Sequence, residues 1–216
     1  MNTGYMIINY VALLFSISVH ECSHAWTADR FGDSTAKRLG RVTLNPIPHI
    51  DLLGTIILPA LMIFSGTGFL IGWAKPVPVN PSNLKNPRND NLWISFAGPL
   101  SNLLMGGIFA IIFHTLIRTT SSMAVPGNPS IVGPLIIFIY FSIKINVFLA
   151  IFNLIPIFPL DGSGVLEGLL PVRQAISYEK LRPYGFMILL LLVYSNVLNF
   201  IIVPVSNIVF SLLGVD

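Results

Sequence analysis

Among the ionisable residues of the chain, the run His20-Glu21-Cys22-Ser23-His24 has the spacing best suited to chemistry. On a helix, residues four apart share a face, so both imidazoles can address one ion while Glu21 serves its open coordination position as a general base. That is the donor pattern of a hydrolytic zinc site. The bland alternative, two surface histidines and an exposed glutamate, is weak here. The apolar stretch from Tyr5 to Val19 runs straight into the motif, and an ionisable group at a membrane span costs at least ~2–3 kcal/mol.

A catalytic zinc usually keeps three protein ligands and one open position, so two histidines leave it one short. Glu167, Glu179, Asp29, Asp33, Asp90 and Asp216 lie in hydrophilic or terminal surroundings and read as solvated charge, while His114 stands alone near the far end of an apolar stretch. His49 and Asp51 form a close pair and compete for the third place. Asp161 follows Asn153-Leu-Ile-Pro156-Ile-Phe-Pro159-Leu160, an apolar approach broken by two prolines. Prolines there stop a helix and turn a loop carboxylate back into protein at membrane depth. Alone, an Asp-Gly pair reads as a helix N-cap. Beside the histidine motif, Asp161 is the best third ligand.

The elements that must position these residues are membrane elements. Hydrophobic residues make up 54% of the 216 and charged residues 10%, against ~25% charged in soluble domains, and mean hydropathy is +0.78. An ordinary soluble enzyme is excluded. The net charge of +3 rests on 12 Lys and Arg scattered through short segments, the distribution of topology-setting charge and not of a nucleic-acid-binding face. The one cysteine, Cys22, excludes an intrachain disulfide and a CxxC metal site.

Five stretches approach the ~20 residues that cross a bilayer: 5–19, 52–72, 92–117, 131–154 and 185–213. If all cross, the loop cations divide five against six between the two sides. If 52–72 enters and returns, as Pro59, Gly66, Gly68 and Gly72 permit, loops 29–51, 73–91 and 155–184 share ten cations and Arg118 alone stands opposite. The positive-inside rule selects the second arrangement, with the N-terminus outside and the histidine motif and Asp161 both at the cytoplasmic face. The stretch 185–213 is longer than a bilayer core and must tilt, kink at Pro204 or split in two. Segments 38–45 and 73–80 have the β-branched, turn-bounded look of short strands, an edge onto which an unwound substrate could add. The expected fold is an all-α polytopic membrane protein with about four to five transmembrane helices, a re-entrant segment and a small membrane-associated β element. It forms one domain over 1–216, with a catalytic core over about 5–170 and a C-terminal membrane helix or hairpin over 185–213.

Three segments together, His20 to His24, Phe96-Ala-Gly98-Pro99-Leu-Ser-Asn102 and Asn153-x-x-Pro156-x-x-Pro159-Leu160-Asp161-Gly162, resemble the signature motifs of the site-2 protease family, the intramembrane zinc metalloproteases of peptidase family M50. Gly40 to Pro46, His49-Ile-Asp51 and Gly72 to Asn80 resemble the short bacterial and archaeal members, and the likeness spans about 20–170. No loop is long enough for the PDZ or CBS domains of other branches. The resemblance implies one zinc per chain held by His20, His24 and Asp161, with Glu21 as general base. It implies that Asn102 and Asn153 hold the substrate backbone or the developing oxyanion, helix-packing hydrogen bonds being the other role open to them. It further implies cleavage within or near transmembrane segments in a bacterial or archaeal plasma membrane, with transmembrane proteins and the lipid bilayer as partners and no nucleic acid. Three other classes compete, of which a soluble-type zincin anchored to a membrane would need a sizeable aqueous domain that no loop here is long enough to hold. A metal transporter would repeat its polar sites along a path, and a non-catalytic zinc-binding adaptor would not need Glu21 between the ligands.

Overall fold

The structure, a computed structural model, describes residues 3–65, 72–121 and 132–215. Helix α1 (Thr3–Phe31) leads into the single turn of α2 (Thr35–Arg38). Past an irregular stretch, a wide helical turn over Leu52–Ile57 continues as α3 (Leu58–Ser65). Then come α4 (Pro87–Ser121), α5 (Val132–Asn153), the short α6 (Asp161–Leu169) and α7 (Val172–Glu179), and the apolar α8 (Gly185–Tyr194) and α9 (Asn199–Leu213). Helices α1, α4 and α5 are each long and apolar enough to cross a membrane. The segment 172–194 and α9, bent by 76° at a short break, make a fourth if they act as one span. Among the described residues three to four helices are thus long and apolar enough to cross, and the expected four to five is not supported.

The three long helices pack with an inverted polarity. Ser16, Asn102, Ser142 and Asn146 are fully buried between them, beside Ile143 and Val147, while Leu104, Ile108, Ile111 and Phe148 face outward. This is the pattern a bilayer imposes, because lipid offers no reward for hiding apolar side chains and polar groups must find partners inside. Lys144 also lies within α5, its ammonium 4.5 Å from the centre of the Tyr140 ring, where the aromatic face offsets part of the cost of a cation.

Leu52–Ser65 is too short to cross: its 14 residues rise about 21 Å against a hydrocarbon core of ~30 Å. Residues 66–71 lie outside the described residues, but the two ends of the 52–72 segment meet. Trp73 N–H donates to the Gly54 carbonyl (3.3 Å), Thr55 Oγ1 donates to the Trp73 carbonyl (2.7 Å) and Lys75 N–H to the His49 carbonyl (2.9 Å). Residues 49–55 and 73–75 thus lie side by side. The long stretch 185–213 is split at Ser195–Leu198, where Asn196 takes φ 58°. Pro204 sits inside α9 and is not the break.

The expected β element is absent from the described residues. Arg38 ends α2, and Gly40 at φ 69° lets Arg41 N–H turn back to the Ala36 carbonyl, so 38–45 is a turn. Residues 73–80 run extended without a ladder. Pro76 and Pro78 have no N–H, and the Val77 N–H between them goes to a side chain. β-Branched residues favour a strand only when a neighbouring strand exists to pack on.

Candidate metal centre

Helix α1 carries Ser16, His20 and His24 on one stripe, each a helical repeat of four from the last. Helix α4 passes beneath them. His24 Nδ1 donates to the Ile94 carbonyl (2.6 Å), His20 Nδ1 donates to Asn102 Oδ1 (2.5 Å), and Gly98 lies between these two contacts. Asp161 is the first residue of α6. The cap position falls on Leu160, which leaves the Asp161 carboxylate to turn toward the histidines. Its Oδ2 lies 3.0 Å from His20 Nε2 and 3.3 Å from His24 Nε2, and the two Nε2 atoms are 3.0 Å apart. Among the described residues this is the only His/Cys/Asp/Glu trio whose donor atoms all lie within 4.8 Å of one another.

Each Nδ1 faces an acceptor oxygen and carries a hydrogen, so in the neutral rings each Nε2 presents a lone pair. Two lone pairs and a carboxylate oxygen then converge with no hydrogen to link them, and Asp161 Oδ2 is a buried atom without a hydrogen-bond partner. Buried acceptors are seldom left in that state, and a cation among the three resolves it. Two neutral imidazoles and one carboxylate match the nitrogen and oxygen donors of a catalytic zinc, and both rings are held from behind as such ligands usually are.

Gly98 is what allows α4 so close. A β-carbon there would overlap His24 Nε2 and the His20 ring. Gly98→Ala is therefore expected to purify with zinc far below the wild-type content. Gly107→Ala, on the same helix with open space around its Cα, should keep it, as measured by metal analysis of both proteins in detergent.

Glu21 is half-buried, and its Oε2 accepts from the Val77 N–H at 3.2 Å. A cavity of about 410 Å³ opens here, with Glu21, His24 and Asp161 on one side and Val77, Phe158 and Phe186 on another. Helix α8 thus contributes to the site as well as to the membrane. The Val77 segment is tied at both ends: Arg41 Nη1 donates to the Lys75 carbonyl (3.2 Å), and Asp33 accepts from the Asn80 N–H (2.6 Å) and the Asn83 amide (2.8 Å). Burial pushes the Asp33 carboxyl up, but donors from Asn83, Thr35 and the Asn80 backbone outweigh it and hold the group below its ordinary range. Asp33, and Asp90, which accepts from the Asn86 N–H (2.8 Å), are buried and not solvated as their sequence surroundings suggest.

The other candidate residues lie elsewhere. His49 is buried with Nε2 donating to the Thr43 carbonyl (3.0 Å), and Asp51 caps the turn at 52, accepting from the Leu53 and Gly54 N–H groups. Asn153 donates to the Leu149 carbonyl one turn back in α5 (2.9 Å). His114 Nε2 donates to the Leu213 carbonyl (2.8 Å), joining α4 to the end of α9. Cys22 is a free, partly exposed thiol. Asn102 meets His20 from behind: its Oδ1 accepts from His20 and its Nδ2 donates to Asn146 Oδ1 (2.8 Å) and the Ser16 carbonyl (3.3 Å).

The sequence profile of peptidase family M50 matches residues 8–195. The chain belongs to peptidase family M50. It is 36% identical over 200 residues to YwhC of Bacillus subtilis, covering 91% of this chain and 84% of that protein. It is 29% identical over 196 residues to Rip2 of Mycolicibacterium smegmatis (91% and 70%) and 22% identical over 169 residues to MJ0392 of Methanocaldococcus jannaschii (78% and 36%). All three carry the name of a zinc metalloprotease. No solved structure matches the chain. As an M50 peptidase the protein is a zinc metalloprotease, and its apolar helices make it an integral membrane protein.

Proposed function

We propose that this M50 peptidase hydrolyses peptide bonds within or beside transmembrane segments of membrane proteins, with zinc held by His20, His24 and Asp161. The observation that carries the reading is the convergence of those three donors at the wall of one cavity, which His24, Asp161 and Glu21 line together with residues of α4. Zinc bound there supplies a Lewis acid that polarises the peptide carbonyl and makes water a usable nucleophile near neutral pH. Glu21 takes the proton of the attacking water on its carboxylate and hands it to the leaving amine. The Val77 N–H holds one oxygen of that carboxylate, which leaves the other for the proton. Asn102, with oxygen and nitrogen both engaged inside the protein, acts on His20 rather than on substrate.

A substrate helix hides its amides in its own hydrogen bonds, so it must unwind before its carbonyl can reach the site. Single-span proteins, or remnants left by an earlier cleavage, are the substrates that the family resemblance implies. The excess of loop cations supports a cytoplasmic cavity, and the likeness to short bacterial and archaeal members supports a plasma membrane of that kind. The test is cleavage of a labelled single-span protein by the purified enzyme in liposomes. Cleavage that a chelator stops and added zinc restores is the expected result. A fully zinc-loaded protein that cuts no membrane substrate would leave a zinc-binding adaptor as the reading.

A further inference from the structure

Behind the metal-facing histidine runs a chain of hydrogen bonds that no step of the hydrolysis uses. Ser16, Asn102, Ser142 and Asn146 are all fully buried, on α1, α4 and α5. Its polarity can be read from the far end. Ser16 Oγ donates its hydrogen to the Ala12 carbonyl (2.8 Å), so toward Asn146 it can only accept. The Ser142 carbonyl can only accept as well. The Asn146 atom facing both, at 2.8 Å each, is therefore its Nδ2. Asn146 Oδ1 is then left facing Asn102 at 2.8 Å, which must donate with its own Nδ2. That in turn points Asn102 Oδ1 at His20 Nδ1. An acceptor there requires the hydrogen on Nδ1, so that in the neutral ring Nε2 is the nitrogen turned, as a lone pair, toward Asp161 and His24.

We propose that Asn146 is a positioning residue of the metal centre: acting through Asn102, it fixes the tautomer and ring orientation of His20. The inference rests on the metal reading above. The Ser16 carbonyl, at 3.3 Å from Asn102 Nδ2, is the weaker of the two contacts that orient the Asn102 amide. Without Asn146 the amide can turn over and offer hydrogens to His20, which favours the wrong tautomer for a ligand. Simple helix packing would give Asn146 value for stability alone, since an asparagine between spans often serves only to join them. The two roles differ in what they do to the metal.

The experiment is zinc affinity by chelator competition on purified full-length protein, with the visible spectrum of the cobalt-substituted form as a second readout. Asn146→Leu keeps the volume and removes the acceptor, and Asn146→Ala removes it without risk of a clash. Ser18→Ala deletes an equally buried hydroxyl on α1, bonded only to the Leu14 carbonyl, and serves as the packing control. Loss of an outer-shell partner typically weakens metal binding by 10–100-fold. Whichever Asn146 variant folds is expected to bind zinc about tenfold or more weakly, with a changed cobalt spectrum, and Ser18→Ala to match wild type. Equal affinity in the Asn146 variants, or an equal loss in Ser18→Ala, overturns the proposal. If His20→Ala leaves zinc affinity unchanged, it is the underlying metal reading that has failed.

Discussion

Glu21→Gln is expected to lower cleavage of a membrane substrate by about 10²–10⁴-fold, the usual worth of a positioned general acid–base, while zinc content stays at the wild-type level. Glutamine has the same shape, and its amide oxygen can still accept the Val77 N–H that now reaches Glu21 Oε2. The cavity wall should therefore stay in place. What is lost is the basic oxygen that takes a proton from water, and neither His20 nor His24 can replace it, because each has one nitrogen bonded outward and the other turned to the metal position. The measurement is metal content and single-turnover cleavage on the same preparation. Retained zinc with full activity would show that Glu21 is a bystander, and retained zinc with lost activity separates a hydrolase from an adaptor or a transporter, neither of which needs the proton acceptor.

How much of this was legible depended on range. The histidine pair was readable because a helix places residues 20 and 24 together without help from the rest of the chain. Asp161 stood out as a candidate because Pro156 and Pro159 interrupt the helix before it, although it opens α6 and is not the loop residue the prolines suggested. Of the groups that hold the candidate ligands, Asn102 was visible in the sequence and the others were not. Ile94 contributes only a carbonyl, Gly98 only the absence of a β-carbon, and Val77 only an N–H, and none of these has a side-chain signature. The strand expectation at 73–80 failed for a related reason. Local propensity described an extended chain correctly, but a strand is a relation between two segments, and here the free N–H of Val77 went to Glu21 instead. In the C-terminal stretch Pro204 was the visible breaker. The chain broke at Asn196, where a left-handed residue goes with a bend of 76°, while Pro204 stays inside α9.

Asp161→Ala and His49→Ala, compared side by side, test the third ligand most severely. Asp161 Oδ2 is the one anionic donor of the trio and is otherwise without a hydrogen-bond partner. Outer-shell changes already cost 10–100-fold in metal affinity, so removal of a direct, charged donor must cost more, and Asp161→Ala should purify nearly free of zinc and without activity. His49 has its Nε2 committed to the Thr43 carbonyl, and its own carbonyl accepts from the Lys75 N–H. Removing its side chain loosens the turn ahead of the 52–72 segment, and a buried hydrogen bond of that kind is worth about 1 kcal/mol net. His49→Ala should therefore melt earlier yet carry the wild-type amount of zinc. The opposite pattern, with zinc lost from His49→Ala and kept in Asp161→Ala, would move the metal away from α6. It would also leave unexplained why two imidazole lone pairs and a carboxylate oxygen crowd together with no hydrogen between them.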